Sequence, residues 1–240
     1  YYEFEMNVLN TVWDLFLPVA YRDNGDALNG YDIHGLQTAV HVEGSINDPD
    51  ADNKTWSVEV VIPFAAITEC LKERRAPKDG EYYRVNFSRV QWKTDVKDHS
   101  YQKRTDENGK VLPEDNWVWA PTGVINIHYP EQWGFVFFSE DPGRSDYAIP
   151  EDEYRKWELR KCYYAEQILL DTKGSFSNDL NELKKTLKNF APNEANTSLR
   201  EDLPITVETT SRTFLLSCPA ANDNHVLLLH FNGKVECVPK

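Results

Sequence analysis

The 240-residue sequence has a single methionine, Met6, and only four cysteines, Cys70, Cys162, Cys218 and Cys237, none of them in a CxxC pair. Such scattering gives zinc or thioredoxin-like chemistry no local support. No apolar run approaches the roughly 20 residues that a bilayer-crossing helix needs, so no membrane span is expected. Basic residues are also in deficit. With 26 Lys and Arg against 39 Asp and Glu, the formal charge is −13, which repels phosphate backbones and anionic surfaces, so nucleic acid is not an expected partner. The chain has no GxSxG, HExxH, P-loop or GxGxxG motif. Its many carboxylates therefore come without a nominated acid and base or a nucleophile beside a base, and the expectation is a non-catalytic protein.

What the chain does carry, from Tyr1 to Phe138, is alternation with period two. Phe4, Met6 and Val8 alternate with Glu3, Glu5 and Asn7, and Trp56, Val58, Val60 and Ile62 with Ser57 and Glu59. That period predicts half-buried antiparallel strands. Segments 21–32, 47–53, 76–81 and 104–116, rich in Gly, Pro, Asn and Asp, supply the reversals, and the sum is a mainly β chain built on an antiparallel β-sandwich. In RVNFSRVQW (84–92), Val85 and Phe87 differ in parity from Val90 and Trp92. A bulge near Ser88-Arg89 would bring all four to the core and turn Asn86, Arg89 and Gln91 outward.

The charged, Pro- and Gly-bearing segment 139–150 marks a boundary between a first domain, 1–139, and a second, 151–240. Residues 151–174 predict a long helix, with acids after Pro150, Tyr154, Trp157, Tyr164 and Ile168 at helical spacing, and Gly174 as terminator. A shorter helix over 177–190 takes Ser177 or Asn178 as its cap and Leu180, Leu183 and Leu187 as its stripe. A three-strand meander closes this small α+β subdomain, its last two strands joined at Asn232-Gly233. That turn sets Cys237 opposite Leu228 instead of Cys218, so the thiols are expected to be free.

Proteins hold sugars by laying ring faces on aromatic side chains while carboxylates, amides and guanidinium groups take the hydroxyls. Residues 116–138 contain three Trp, three Phe, one Tyr and one His. Of these, Trp119, His128 and Tyr129 are the candidates for a ligand-facing rim, whereas Trp133, Phe135 and Phe137 are assigned to the core together with Trp56 and Trp92. Glu5, Asn7, Asn86, Arg89 and Gln91 project from polar strand faces and complete a hydroxyl-reading set. The plainer alternative is an Arg89–Glu5 ion pair among solvated neighbours. Asp48, Asp50, Asp52 and Glu59 stand at positions one, three, five and twelve of a calcium loop, with Asn53 in place of the turn glycine and a strand in place of the following helix. Calcium is therefore a candidate cofactor. Haem has no evident axial pair, because Met6 alternates with Phe4 toward the core.

The blocks YYEFEMNVLNTVWDL, WSVEVVIPF, RVNFSRVQW and NWVWAPTGVINIHYPEQWGFVFF resemble, in order, the carbohydrate-binding module family 9-like domains, relatives of the DOMON group, found in secreted proteins of polysaccharide-degrading bacteria. The likeness runs from Tyr1 to Ser139. It implies an antiparallel β-sandwich, a sugar clamped between two tryptophans, structural calcium and a secreted, periplasmic or cell-surface location. One clamp tryptophan would belong to a segment preceding Tyr1, where the first domain is expected to have further strands. The other falls near Ile127-His128, where this chain has no Trp, and Glu5 stands at a ligand-contacting position. The tail, in LRKCYYAEQILLDTKGSFSNDLNEL followed by strands, looks like the globular part of type IV pilin-like proteins, which implies a docking module for a protein partner. The sequence reading is a non-catalytic binder of an oligo- or polysaccharide. Its rivals are a glycoside-processing enzyme with paired carboxylates and an assembly protein that has lost a sugar site.

Overall fold

A computed structural model describes residues 1–123, 126–188 and 198–240. Strands dominate. In chain order come β1 (Tyr2–Met6), β2 (Val12–Phe16), β3 (Gln37–Glu43), β4 (Thr55–Val61), the short helix α1 (Phe64–Ile67), β5 (Tyr82–Val85), β6 (Ser88–Gln91), β7 (Thr94–Lys97), β8 (Ser100–Lys103), β9 (Asp115–Val118) and β10 (Gly134–Phe137). The helices α2 (Glu151–Lys173) and α3 (Leu180–Leu187) follow, then β11 (Thr206–Thr209), β12 (Phe214–Pro219), β13 (His225–His230) and β14 (Val235–Pro239). The chain divides into two compact units, Tyr1–Ala120 with Val136–Pro142, and Pro121–Phe135 with Gly143–Lys240. The sequence boundary at 139–150 left Pro121–Phe135 with the first domain. In the structure this segment groups with the second unit, where the Tyr129 ring meets that of Tyr164 on α2 at 5.5 Å and the Tyr164 hydroxyl donates to Glu131.

In the first unit, β1 pairs with β2, β3 with β4, β6 with β9 and β7 with β8, all antiparallel, while β10 lies beside β5. Leu15, Leu17, Ile33 and Ala66 are buried, and Tyr2, Phe16 and Tyr31 gather their rings within 5.1–5.8 Å of one another. The expected bulge is instead a strand break. β5 ends at Val85 and β6 starts at Ser88 with a different partner, so Phe87 and Val90 are 60% and 54% exposed and do not enter a core. Trp56 likewise lies outward at 37% exposure, with Val58 and Val60 exposed beside it. Trp92 is half-buried, and the Lys103 ammonium sits 3.3 Å from its ring centre.

The second unit is a four-stranded antiparallel sheet, ordered β11-β12-β13-β14, whose strands β12 and β13 pack on α2, with α3 packed against α2. Three acids fill the first turn of α2, Lys173 its last, and Gly174 closes it at φ 72° with its N–H on the Leu170 carbonyl. Charge thus complements the helix dipole at both ends, and only glycine adopts that left-handed cap without strain. Asp179 caps α3 through the Asn181 N–H at 2.9 Å, in place of Ser177 or Asn178. The stripe Leu183 and Leu187 is fully buried, with Leu180 packed at its margin. Residues 189–190, the expected end of this helix, lie outside the described residues.

The three-strand meander becomes four strands because its first segment folds back on itself: β11 pairs with β12, Val207 opposite Leu216. The last hairpin also differs. His230 donates to the Lys234 carbonyl and Gly233 takes φ 80°, a three-residue loop with a left-handed third position instead of a two-residue turn. One extra loop residue slips the register by one, so Cys237 faces Leu227 and not Leu228. Cys218 also pairs with Leu227. The two thiols are therefore two strands apart, beyond disulfide reach, and all four cysteines are free.

Candidate functional site

The β6–β9 ribbon carries the most concentrated exposed aromatic group of the first unit. Arg89 stands opposite Trp117 and Gln91 opposite Asp115, and the ladder continues one step to Phe87, whose carbonyl accepts the Trp119 N–H at 2.9 Å. Because side chains alternate along a strand, Phe87, Arg89 and Gln91 share one face with Asp115, Trp117 and Trp119. Trp117 is 64% exposed and Trp119 47%. The Trp119 indole N–H donates to the Val85 carbonyl at 3.0 Å, and its ring meets Phe87 edge-on at 5.3 Å and 71°. These two contacts hold the Trp119 ring in place and occupy its single donor, so apolar ring surface is what it presents to solvent. Arg89 Nη2 donates to Gln91 Oε1 at 2.8 Å, which orients the guanidinium and leaves its other donors available in the fork. From residue 87 to residue 91 the face is about 13 Å long.

Of the predicted set, Arg89, Gln91 and Trp119 come together here. Trp117 and Phe87 were missed, although parity alone places Phe87 with Arg89 and Gln91, and Trp117 with Trp119. The supposed bulge had moved Phe87 to the opposite face. The other candidates lie elsewhere. Glu5 is exposed on β1, opposite Trp13 of β2. Asn7 organises the β1–β2 turn, its Oδ1 accepting the N–H groups of Leu9 and Thr11. Asn86 sits at the strand break with its Oδ1 buried and without a hydrogen-bond partner among the described residues. His128 is half-buried in the second unit, its N–H donating to Asn126 Oδ1. Tyr129 packs against the second unit's core and not at a wet rim, because its ring is needed against Tyr164. Trp133 is half-buried, with its indole N–H on the Ile127 carbonyl at 2.7 Å.

The acidic loop is organised by its own contacts. Asp48 Oδ1 accepts the Asp50 N–H at 3.0 Å and its carbonyl accepts Asn53 Nδ2 at 2.6 Å. Asp50 pairs with His99, Asp52 with Lys54 at 3.4 Å, and Glu59 stands on β4 opposite Ala39. Among the described residues, no group of three His, Cys, Asp or Glu side chains is gathered so as to hold a metal ion.

A shallow cavity of about 290 Å³ is lined by Leu71, Glu73, Arg75, Glu81, Tyr82 and Tyr83. Arg75 fills its donors there with Glu81 at 2.6 and 2.8 Å and with Glu73 at 2.9 Å. The Arg75 guanidinium, with help from the Lys78 N–H, holds the Glu81 carboxyl down at about 2. With Arg75 Nη1 also on the Ala76 carbonyl at 3.0 Å, four of the five guanidinium donors are spent inside this charge clamp. No helix among the described residues is long and apolar enough to cross a membrane. Comparison with known proteins gives no matching family model, no matching curated protein and no matching solved structure.

Proposed function

We propose that the chain is a non-catalytic carbohydrate-binding protein that lays a glycan on the β6–β9 face. The observation that carries this reading is the coincidence, on one face of one ribbon, of three exposed aromatic rings with an amide and a guanidinium. Exposed rings supply the stacking surface, and the Arg89 and Gln91 groups supply hydroxyl donors and acceptors. The charge of −13 disfavours polyanions, which leaves neutral oligo- and polysaccharides as the class of ligand. The paired strands of the first unit suit a family 9-like β-sandwich, and with it a secreted or cell-surface setting. An enzymatic role gains no support from Glu166, whose carboxyl is pushed up to about 7 by burial. That side chain is wholly enclosed and is unable to face a glycosidic bond.

The test is a panel of neutral polysaccharides read by affinity electrophoresis, followed by calorimetry on the best ligand. Trp117→Ala should weaken binding at least tenfold, equivalent to ~1.4 kcal/mol, with unfolding unchanged because the ring is mostly solvated. Failure to bind any member of the panel, or undiminished binding by a Trp117→Ala/Trp119→Ala double variant, refutes the proposal.

A further inference from the structure

Helix α2 buries a carboxylic acid that a sugar platform on the other unit does not use. Glu166 is fully enclosed, and its Oε2 accepts the Ser177 N–H at 3.0 Å while its Oε1 has no hydrogen-bond partner among the described residues. Ser177 belongs to the turn that leads from α2 into α3. Its hydroxyl donates to Glu182 of α3 at 2.6 Å and accepts the Asp179 N–H at 3.2 Å, and Lys173 reaches Glu182 from the end of α2. The neighbouring Phe176 ring meets Phe214 of β12 edge-on at 5.0 Å. One buried oxygen of Glu166 thus holds the turn on which the docking of α3 depends.

Among the described residues, a carboxylate in that position would have one hydrogen bond and no counter-ion of its own. The titratable groups around it oppose ionisation or are silent. Glu182 is negative and repels it, and Lys173 is committed to Glu182. Cys162, one turn earlier on α2, is a buried thiol pushed up to about 12 by burial. From the packed strands, β12 offers Cys218 on the core face, raised by burial to about 11, and β13 carries His225, Leu227 and Leu229 on the parity that faces the core. Burial first, and Glu182 after it, push Glu166 up from 4.5 to about 7, against the Ser177 N–H that pulls it down.

We infer that Glu166 is a proton-operated latch on the α2–α3 hairpin, closed when the acid is neutral and released when it ionises. The neutral acid is cheaper to bury with an idle oxygen than the anion. Once charged, it needs water, and the nearest way for water to enter is displacement of the 174–179 turn, which lifts Ser177 and Phe176 away. The folded value lies above the unfolded one, so the folded hairpin keeps a proton that the unfolded chain has lost between pH 4.5 and about 7. Stability is therefore complete below that window and falls as pH rises through it.

The test is hydrogen exchange of the amides of residues 175–180, corrected for intrinsic rates, at pH 5.5 and 8.5 on the whole chain. The expected result is a tenfold or greater loss of protection at the higher pH, abolished in Glu166→Gln, which stays neutral at both. Equal protection at the two pH values, or the same loss in Glu166→Gln, overturns the latch. Should Glu166→Gln fail to fold, carboxyl-carbon NMR of the unmodified chain decides instead. Titration of Glu166 near 7 in step with the Ser177 amide shift supports the inference, and titration near 4.5 overturns it.

Discussion

Lys161 and Glu158 form an ion pair at 2.8 Å with 4% and 5% of their surfaces exposed, and each ties α2 to the segment 198–200. Lys161 Nζ also donates to the Ser198 carbonyl at 2.7 Å, and Glu158 Oε2 accepts the Arg200 N–H at 2.9 Å. Leu199 and Leu203 enter the core on either side of these ties. Replacing Lys161 with Met keeps the length and removes the charge, stranding a buried carboxylate. Such breaks cost about 3–5 kcal/mol. Loss of the lysine's hydrogen bond to the Ser198 carbonyl adds about 1 kcal/mol. Urea unfolding followed by far-ultraviolet circular dichroism, with an unchanged slope, should therefore show a loss of about 4 kcal/mol. In Glu158→Leu/Lys161→Met only the two side-chain ties to Ser198 and Arg200 are lost, at about 1–3 kcal/mol each, so the double variant should lose at least 2 kcal/mol less than the sum of the singles. A single-variant loss below about 1 kcal/mol, the level of an exposed pair, or strict additivity would refute the reasoning.

Two further outcomes follow from burial. Cys162 and Cys218 are enclosed, with thiols raised by burial, while Cys70 and Cys237 are exposed. A chromogenic disulfide reagent should titrate two thiols rapidly in the native protein and four in urea, since the thiolate is the reactive form, and a third fast thiol would contradict the core. Tyr129→Ala should destabilise the second unit by about 2 kcal/mol, less than for a fully buried ring, and leave glycan affinity unchanged. Loss of affinity with intact stability would return Tyr129 to the binding surface.

The second unit was the more legible in the sequence because its signals are local. Pro150 and Gly174 punctuate α2, and Leu180, Leu183 and Leu187 recur at helical spacing, so nothing distant had to be known. What escaped was decided by single residues. The three-residue loop ending at Gly233 reads much like a two-residue Asn-Gly turn, yet it moves Cys237 by one place. The buried face of α2 was also misjudged, because Glu158, Lys161 and Glu166 look like solvent residues until their partners Ser198, Arg200 and Ser177 are in place. Tyr154, counted into the stripe, is 49% exposed. In the first unit, period-two patterning located β1, β4, β6 and β9 but left their partners open, since alternation says which residues share a face and not what the face meets.

That last limit bears on why the β6–β9 face is singled out. Exposure alone nominates nothing in the first unit, where Trp13, Trp56, Val58 and Val60 are also open to solvent. The β3–β4 pair registers Trp56 with Val42, Val58 with Val40 and Val60 with Thr38. Apart from Thr38 that face is apolar set against apolar, the composition of a sheet face meant for packing. On β6–β9 the cross-strand partners differ in kind: Arg89 faces Trp117, Gln91 faces Asp115, and Phe87 braces Trp119. A face intended for a dry core would leave the guanidinium and the amide without water, at a cost that apolar partners do not repay. One intended for bulk solvent has no use for an indole anchored through its only donor. The mixture suits a ligand that is itself flat and apolar on its ring faces and hydroxylated around its edge, and it makes Trp117, the ring least involved in the ribbon's own contacts, the substitution that separates binding from folding.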